Sequence, residues 1–472
     1  LTNCVGMAPN DGSRDDTVAL LRFIMKHPIF SAFIALSVGG MVALGLLLTF
    51  WEDIKMLLSD QFYFSLILAV ALLGGIQTGV AYFILLERKI SAWIQDRFGP
   101  NRVGPIGLLQ PLADGVKLFL KEDIIPRHVD RALFVFAPFM AMVVALIGYA
   151  VIPWGGEFRW PWMSPDAEPL VAQVASIHIG VIYILAVGSM GVYGVVLGGW
   201  SSNNKFAFYG AMRAAAQMLS YEVPLGLTVI IGVLTAGYLL PGEAATDAMR
   251  LEGVVAAQTG GWWLFVFHPV VALMLFIAAL AEANRAPFDL AEAEQELIGG
   301  FHTEYSGMKW AMFFLGEYAH MITSSAFMAC LFFGGFLVPN FLPYADWINT
   351  SESWLAMIVR VHVLAFKVLL FIAMYMVIRW TLPRFRFDQL MRVAWKALVP
   401  AGMLLLALQV LIIQFGWSQW VALVGNVVIF AVMVVASVLV SAGSPITGRQ
   451  RSMIERDRGG LGANAGLQHA GL

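Results

Sequence analysis

The sequence predicts an all-α polytopic membrane protein, and three observations carry that prediction. Hydrophobic residues make up 59% of the 472 residues and charged residues only 13%, against about 25% charged in a soluble globular chain. Apolar runs of about 20 residues, the length at which a helix crosses a bilayer, recur along nearly the whole chain. Lys and Arg accumulate in alternate loops between those runs, as the cytoplasmic loops of inserted helices require.

Taken in order, the runs place helices at about 28–51, 62–86, 132–152, 176–198, 222–240, 263–283, 312–338, 356–380, 397–415 and 420–441. The first shows no small-residue cleavage site and reads as a retained helix. Of the 29 basic residues, 24 fall on one side: the N-terminal tail, loops 87–131, 199–221, 284–311 and 381–396, Arg379 at the span end just before the last of these, and the C-terminal tail with Arg449, Arg451, Arg456 and Arg458. The other side holds Lys55, Arg159 and Arg250, in loops rich in Trp and Pro that suit interfacial anchoring. Both termini are therefore expected in the cytoplasm. Internal repeats of the kind that build inverted-repeat transporters are not evident.

The first long cytoplasmic loop opens on Glu87-Arg88-Lys89 and runs through Gly99-Pro100-Asn101-Arg102-Val103-Gly104-Pro105, where the Gly-Pro elements restrict the backbone. Beyond Leu108 an amphipathic helix is expected. Leu109, Leu112, Val116, Phe119 and Leu120 recur at helical spacing, with Gln110, Asp114, Lys117 and Lys121 on the other face. Such a helix serves either as a headgroup-level anchor or as the wall of a lateral portal for a long-tailed, lipid-soluble substrate.

Loop 284–311 carries Asn284-Arg285-Ala286-Pro287-Phe288-Asp289-Leu290, then Glu292, Glu294, Glu296, Glu304 and Tyr305, directly after Glu282 at a span end. If 289–299 is helical, Asp289, Glu292 and Glu296 share one face, and like charges there oppose simultaneous ionisation. Glu222 begins one span and Glu317 sits inside another, where an ionisable group costs several kcal/mol unless paired or wet. Arg360 and Lys367, seven residues apart on one helical face, are plausible partners for these acids. The set reads either as a proton path or as static ion pairs that fix helix packing. His320, three residues after Glu317, extends the same cluster, whereas His178 and His268 near span ends read as interfacial residues. Cys4 and Cys330 lie far apart, and no cysteine or histidine has metal-ligand spacing. Nucleotide-binding and hydrolase signatures are absent from the sequence, so soluble cofactor chemistry is expected elsewhere. Loop 381–396 interleaves Arg384 and Arg386 with Phe385 and Phe387, a pattern suited to headgroups or to a docked soluble partner.

Seven stretches, in order, resemble the quinone-site membrane subunit of respiratory complex I, the NADH:quinone oxidoreductase, known in bacteria as its H subunit. They are Glu87-Arg88-Lys89; Gly99 to Pro105 with Leu108-Leu109-Gln110-Pro111; Gly199-Trp200 with Asn203-Asn204-Lys205; Ser220-Tyr221-Glu222; Glu282 to Leu290; Thr303-Glu304-Tyr305-Ser306; and Pro383 to Leu390. The resemblance covers about residues 62–415. It implies an eight-helix core over 61–415 that joins the hydrophilic arm to the proton-pumping arm, with one extra helix in 1–60 and another, with a basic tail, in 416–472.

The resemblance further implies a quinone chamber and entry portal at Arg88, Arg97, Asp114, Lys117, Arg285, Asp289, Glu292, Glu294 and Glu296. It implies a proton relay through Glu222, Glu282, Glu304 and Glu317, to which the reading of charges adds Arg360 and Lys367. Quinone would be the substrate, the chain alone would bind no cofactor and catalyse nothing, and electrons would come from an iron–sulfur cluster in a neighbouring subunit. Partners would be the hydrophilic quinone-site and iron–sulfur subunits, small membrane subunits, antiporter-like subunits and membrane lipid, with no nucleic acid. The expected location is the cell inner membrane, multi-pass. Two competing readings are the anchoring subunit of an energy-converting membrane hydrogenase, which shares the fold, and an independent secondary transporter.

Overall fold

In a computed structural model that describes residues 51–240, 242–259, 261–290 and 299–443, the apolar runs are helices. The first expected span, 28–51, lies almost wholly outside those residues, as do Glu292, Glu294 and Glu296. The chain divides into two units, residues 1–64 with 162–165, and residues 65–161 with 166–472. In the first unit a short helix, Trp51–Ser59, is followed by the opening turn of the next helix. The Trp162 indole donates to Ser59 Oγ at 3.2 Å.

The remaining elements are α1 (Gln61–Ile94), the amphipathic α2 (Gln110–Leu120), α3 (Arg131–Ile147), α4 (Gly180–Ser201), α5 (Lys205–Leu239), α6 (Pro269–Glu282), α7 (Gly307–Phe332), α8 (Trp354–Thr381), α9 (Val399–Phe415) and α10 (Trp420–Gly443). Among the described residues, six stretches are long and apolar enough to cross a membrane, and α6 and the segment Trp420–Val435 of α10 are shorter apolar stretches. The 26-residue α7 is less apolar because Glu317 and His320 sit within it. The protein is thus a multi-pass α-helical membrane protein, with a single two-stranded sheet, Glu157–Phe158 against Leu170–Val171, among the described residues.

Local sequence explains where these helices start and stop. Asp130 accepts from the amide groups of Ala132 and Leu133 to cap α3, and Asn204 accepts from Phe206 N to cap α5. Pro269 stands in the first turn of α6, where its missing N–H costs nothing. Gly416, at φ 65°, ends α9 in the left-handed conformation that glycine adopts without strain.

Two boundaries differ from expectation. The predicted loop 199–221 is mostly helix, because α5 starts at Lys205 and buries Ala207, Ala211, Ala214, Met218 and Tyr221 at helical spacing. Lys205 and Arg213 lie on its other face and give the stretch the charge of a loop. Likewise α1 continues to Ile94, so Glu87-Arg88-Lys89 lies on a helix and not at the start of a loop.

Packing relies on small residues, as it does where lipid supplies no hydrophobic drive between helices. A side chain at Gly194 would meet the Ala141 backbone at 3.0 Å, which is how closely α4 approaches α3. The helix α10 is tied in by polar contacts: Asn426 Nδ2 lies 3.2 Å from His268 Nδ1, and His268 Nε2 lies 3.0 Å from Thr235 Oγ1. His268 is therefore buried between helices and is not an interfacial residue, a correction explained by a partner on α10 that spacing does not reveal.

Candidate functional site

Glu87 directly follows α1's apolar stretch, which ends at Leu86, and is buried. Its carboxylate receives three donors from three other segments. Arg285 Nη1 donates to its two oxygens at 3.4 and 3.3 Å, and the Tyr318 hydroxyl and the Arg379 guanidinium also donate to it. Arg285 extends the cluster, with Nε 2.6 Å from Glu317 Oε1 and the guanidinium 4.1 Å from the centre of the Tyr318 ring. Two acids and two arginines thus balance in charge. Burying an ion costs several kcal/mol after relaxation, and only close, hydrogen-bonded pairing offsets that cost.

The loop carrying Arg285 is held from both sides. Gln217 Nε2 on α5 donates to Ala281 O, Asn284 Oδ1 and Phe288 O at 2.8, 3.1 and 2.9 Å. From the 381–396 segment, Phe385 N donates to Pro287 O at 3.3 Å and Arg384 donates to the Asp289 carbonyl. Tyr221 OH reaches Leu390 O at 3.0 Å, tying that segment to α5. The Arg-Phe pattern of 381–396 therefore serves internal packing around the loop as well as any external surface.

The helix α2 is positioned by charge. Arg88 Nη1 lies 2.6 Å from Asp114 Oδ2, Gln110 Nε2 donates to Asp114 Oδ1 at 3.1 Å, and Lys89 Nζ donates to Ile106 O at 2.6 Å. None of its residues is buried, and Leu112, Val116, Phe119 and Leu120 are exposed. Beyond it, Lys309 pairs with Asp123, and Ile124 N donates to Ser306 Oγ at 3.1 Å.

Between α1, α2, α7 and the Arg285 loop lies a cavity of about 750 Å³. It brings together Arg88, Arg97, Asp114, Lys117, Arg285, Asp289 and Glu317 from the predicted set, with apolar Leu118, Phe119, Phe314 and Leu315 in the same lining. Sequence reasoning missed Glu87, Tyr318 and Arg379 as site residues. The available signal was a charged triplet abutting an apolar run, which by pattern alone resembles a loop edge.

The other acids lie nearby or apart. Glu282 and Glu222 line a small cavity with His320, and Glu282 Oε1 is 3.6 Å from His320 Nε2. Glu304 instead accepts from Asn204 Nδ2 at 2.7 Å, beside the start of α5. Its neighbour Tyr305 stacks on Phe134 with ring centres 4.0 Å apart, and burial pushes its hydroxyl up to about 12.

Arg360 and Lys367 do not serve as the expected partners of Glu282 and Glu317. Arg360 donates to the carbonyls of Ile348, Gly155, Glu157, Asn349 and Ser351, gathering the loops at one end of α8. Lys367 Nζ donates to Phe333, Gly335 and Leu337 carbonyls at 2.7 Å each, and lies 4.3 Å from the Trp263 ring centre. These carbonyls lie just past the C-terminal end of α7, the negative end of its dipole, so a cation is satisfied there without a carboxylate. Among the described residues no group of three or more His, Cys, Asp or Glu is arranged to hold a metal ion.

The NADH dehydrogenase family profile matches residues 67–410. The chain is 46% identical to an NADH-quinone oxidoreductase H subunit of Cytophaga hutchinsonii over 323 residues, 68% of this chain and 89% of that protein. It is 43% identical to the NADH-quinone oxidoreductase H subunit of Leptospira biflexa over 332 residues, 70% and 88% of the two chains. It is 45% identical to the corresponding H subunit of Rhodospirillum rubrum over 325 residues, 69% and 86%.

Proposed function

The chain belongs to the NADH dehydrogenase family, and from that membership we propose that it is the membrane subunit of an NADH-quinone oxidoreductase that forms the chamber for the quinone. The observation that carries this reading is the cavity of about 750 Å³, within the range of small-molecule sites. A lipid-soluble quinone has an apolar tail and a ring with two carbonyl oxygens. The apolar lining suits the tail, and Arg88, Arg97, Lys117 and Arg285 suit oxygens that gain negative charge during reduction.

Quinone reduction consumes two electrons and two protons to give the quinol. The electrons would come from an iron–sulfur cluster in a neighbouring subunit. Proton uptake and charge change in the chamber would be felt first at Glu317, which is ion-paired to Arg285 on the cavity wall. A relay from there would run through Glu282 and Glu222, with Glu304 near the Asn204 turn. Glu292, Glu294 and Glu296 keep the entry and chamber role that the family resemblance suggests. Arg360 and Lys367 would hold helix ends in register. We assign 61–415 to the family core, the flanking helices to additions, and both termini to the cytoplasm.

Purification by a C-terminal tag in mild detergent tests the assignment. Recovery of NADH-binding, iron–sulfur and antiporter-like subunits with NADH:quinone reductase activity is expected. A nickel-site partner would overturn it in favour of a hydrogenase, and solute transport by the chain alone in favour of a transporter.

A further inference from the structure

We infer that His320 is the proton-carrying joint between the chamber side and the far side of the acidic path, a role that rests on the chamber reading above. Two small cavities meet at this residue. One, of about 70 Å³, is lined by Glu317, Asn284, Glu282 and His320. The other, of about 40 Å³, is lined by Glu222, Glu282 and His320. Each exceeds the roughly 10–15 Å³ that one water needs. Glu317 and Asn284 also line the large cavity, so the three spaces share walls in sequence.

His320 and Glu282 belong to both small cavities. His320 Nε2 is buried and, among the described residues, has no hydrogen-bond partner. The closest carboxylate oxygen, Glu282 Oε1 at 3.6 Å, lies just beyond direct bonding and within the reach of one bridging water. Gly188 opens the room for this arrangement, since a side chain there would meet Glu282 Oε1 at 3.2 Å. Within this membrane-spanning helix an imidazole that only filled space would be better replaced by an apolar group, because an unsatisfied polar atom in a low-dielectric interior costs free energy.

The step balances without a further reactant. An excess proton carried on water in the cavity of about 70 Å³ passes to the imidazole, which becomes imidazolium, and that water is left neutral. The imidazolium then gives a proton to the Glu282 carboxylate or to water in the smaller cavity, and the ring ends neutral, as it began. The charged and titratable groups around it are Glu282 on α6, Glu222 on α5, and Glu317 on its own helix. No bond between heavy atoms changes.

The test uses the assembled complex in sealed vesicles, with quinone reduction and proton translocation measured together for His320→Gln, His320→Leu and Glu282→Gln. Glutamine keeps a donor near Nε2 but carries no proton. His320→Gln and His320→Leu are both expected to lower kcat and the protons moved per quinone reduced by at least threefold, with KM for quinone unchanged. Wild-type kcat and coupling in His320→Gln, with Glu282→Gln impaired, would overturn the role of His320 and leave the path. Wild-type behaviour in His320→Gln and Glu282→Gln alike would overturn the path itself. Co-purification of partner subunits distinguishes a failure to assemble, and Gly188→Ala, which crowds Glu282 and leaves His320 in place, is then expected to lower the same two quantities. No effect of Gly188→Ala would count against the proposal.

Discussion

Replacing Arg285 with methionine removes the cation that sits between Glu87 and Glu317 while keeping an unbranched apolar stem. The side chains of Arg285 and Glu87 are each 9% exposed and that of Glu317 is 11% exposed, so solvent screens this triad little. After the change Glu87 keeps Arg379, but Glu317 loses the ion pair it makes at 2.6 Å. Breaking a buried pair by removing one partner costs about 3–5 kcal/mol. Arg285→Met should therefore lower the thermal-inactivation temperature of the assembled complex and raise KM for quinone. The double variant Arg285→Met, Glu317→Gln removes both partners of the pair and should recover at least half of the lost stability, a non-additivity expected only for groups in contact. The assay is residual NADH:quinone activity after heating, with assembly checked by co-purification. An Arg285→Met complex as heat-stable as the parent, or two single effects that add, would refute the reasoning.

Three further outcomes are expected. Glu282→Gln should leave the complex assembled and lower coupled quinone reductase activity about tenfold, a loss of about 1.4 kcal/mol in barrier terms; normal rates and proton uptake would remove Glu282 from the path. Lys367→Met should lower the yield of assembled complex without changing turnover per complex, because Lys367 satisfies three backbone carbonyls and no carboxylate; reduced turnover at full yield would return it to the relay. Glu252, in the connection between α5 and α6, has its carboxyl held above the usual range, chiefly by burial, with Ser176 and Arg250 opposing that shift. The folded form thus binds the proton more tightly than the unfolded chain, and stability is lost as pH rises from about 4 through the folded value. Glu252→Gln should flatten that decline in thermal-inactivation temperature, and an unchanged slope would contradict it.

The helical class was legible, and the nine predicted runs that fall on described residues are helical, six of the helices being long and apolar enough to cross a membrane, because a bilayer imposes a length and a hydropathy on each crossing and both can be read locally. The start of α5 was not, since Lys205 and Arg213 carry charge on one face of a helix whose other face is buried. Pairing was the harder problem. Arg285 and Glu317 were each visible as charges in unusual places, but their contact spans α6, its following loop and α7, and spacing along one helix cannot report it. Arg360 and Lys367 were misassigned for the same reason: helical spacing put them on one face correctly, while the groups opposite them are carbonyls contributed by loop ends. Glu87 stands in a recognisable motif, yet its importance escapes a local reading because its burial depends on Arg379, almost three hundred residues later in the chain.

The most direct measurement of the chamber assignment is photoaffinity labelling of the purified complex with a short-tailed azidoquinone, followed by peptide mapping of this chain. Labelling concentrated in 111–119 and 308–318, the segments of α2 and α7 that line the cavity, and suppressed by excess quinone, is the predicted result. Labelling elsewhere on the chain, or labelling that excess quinone leaves unchanged, would contradict it.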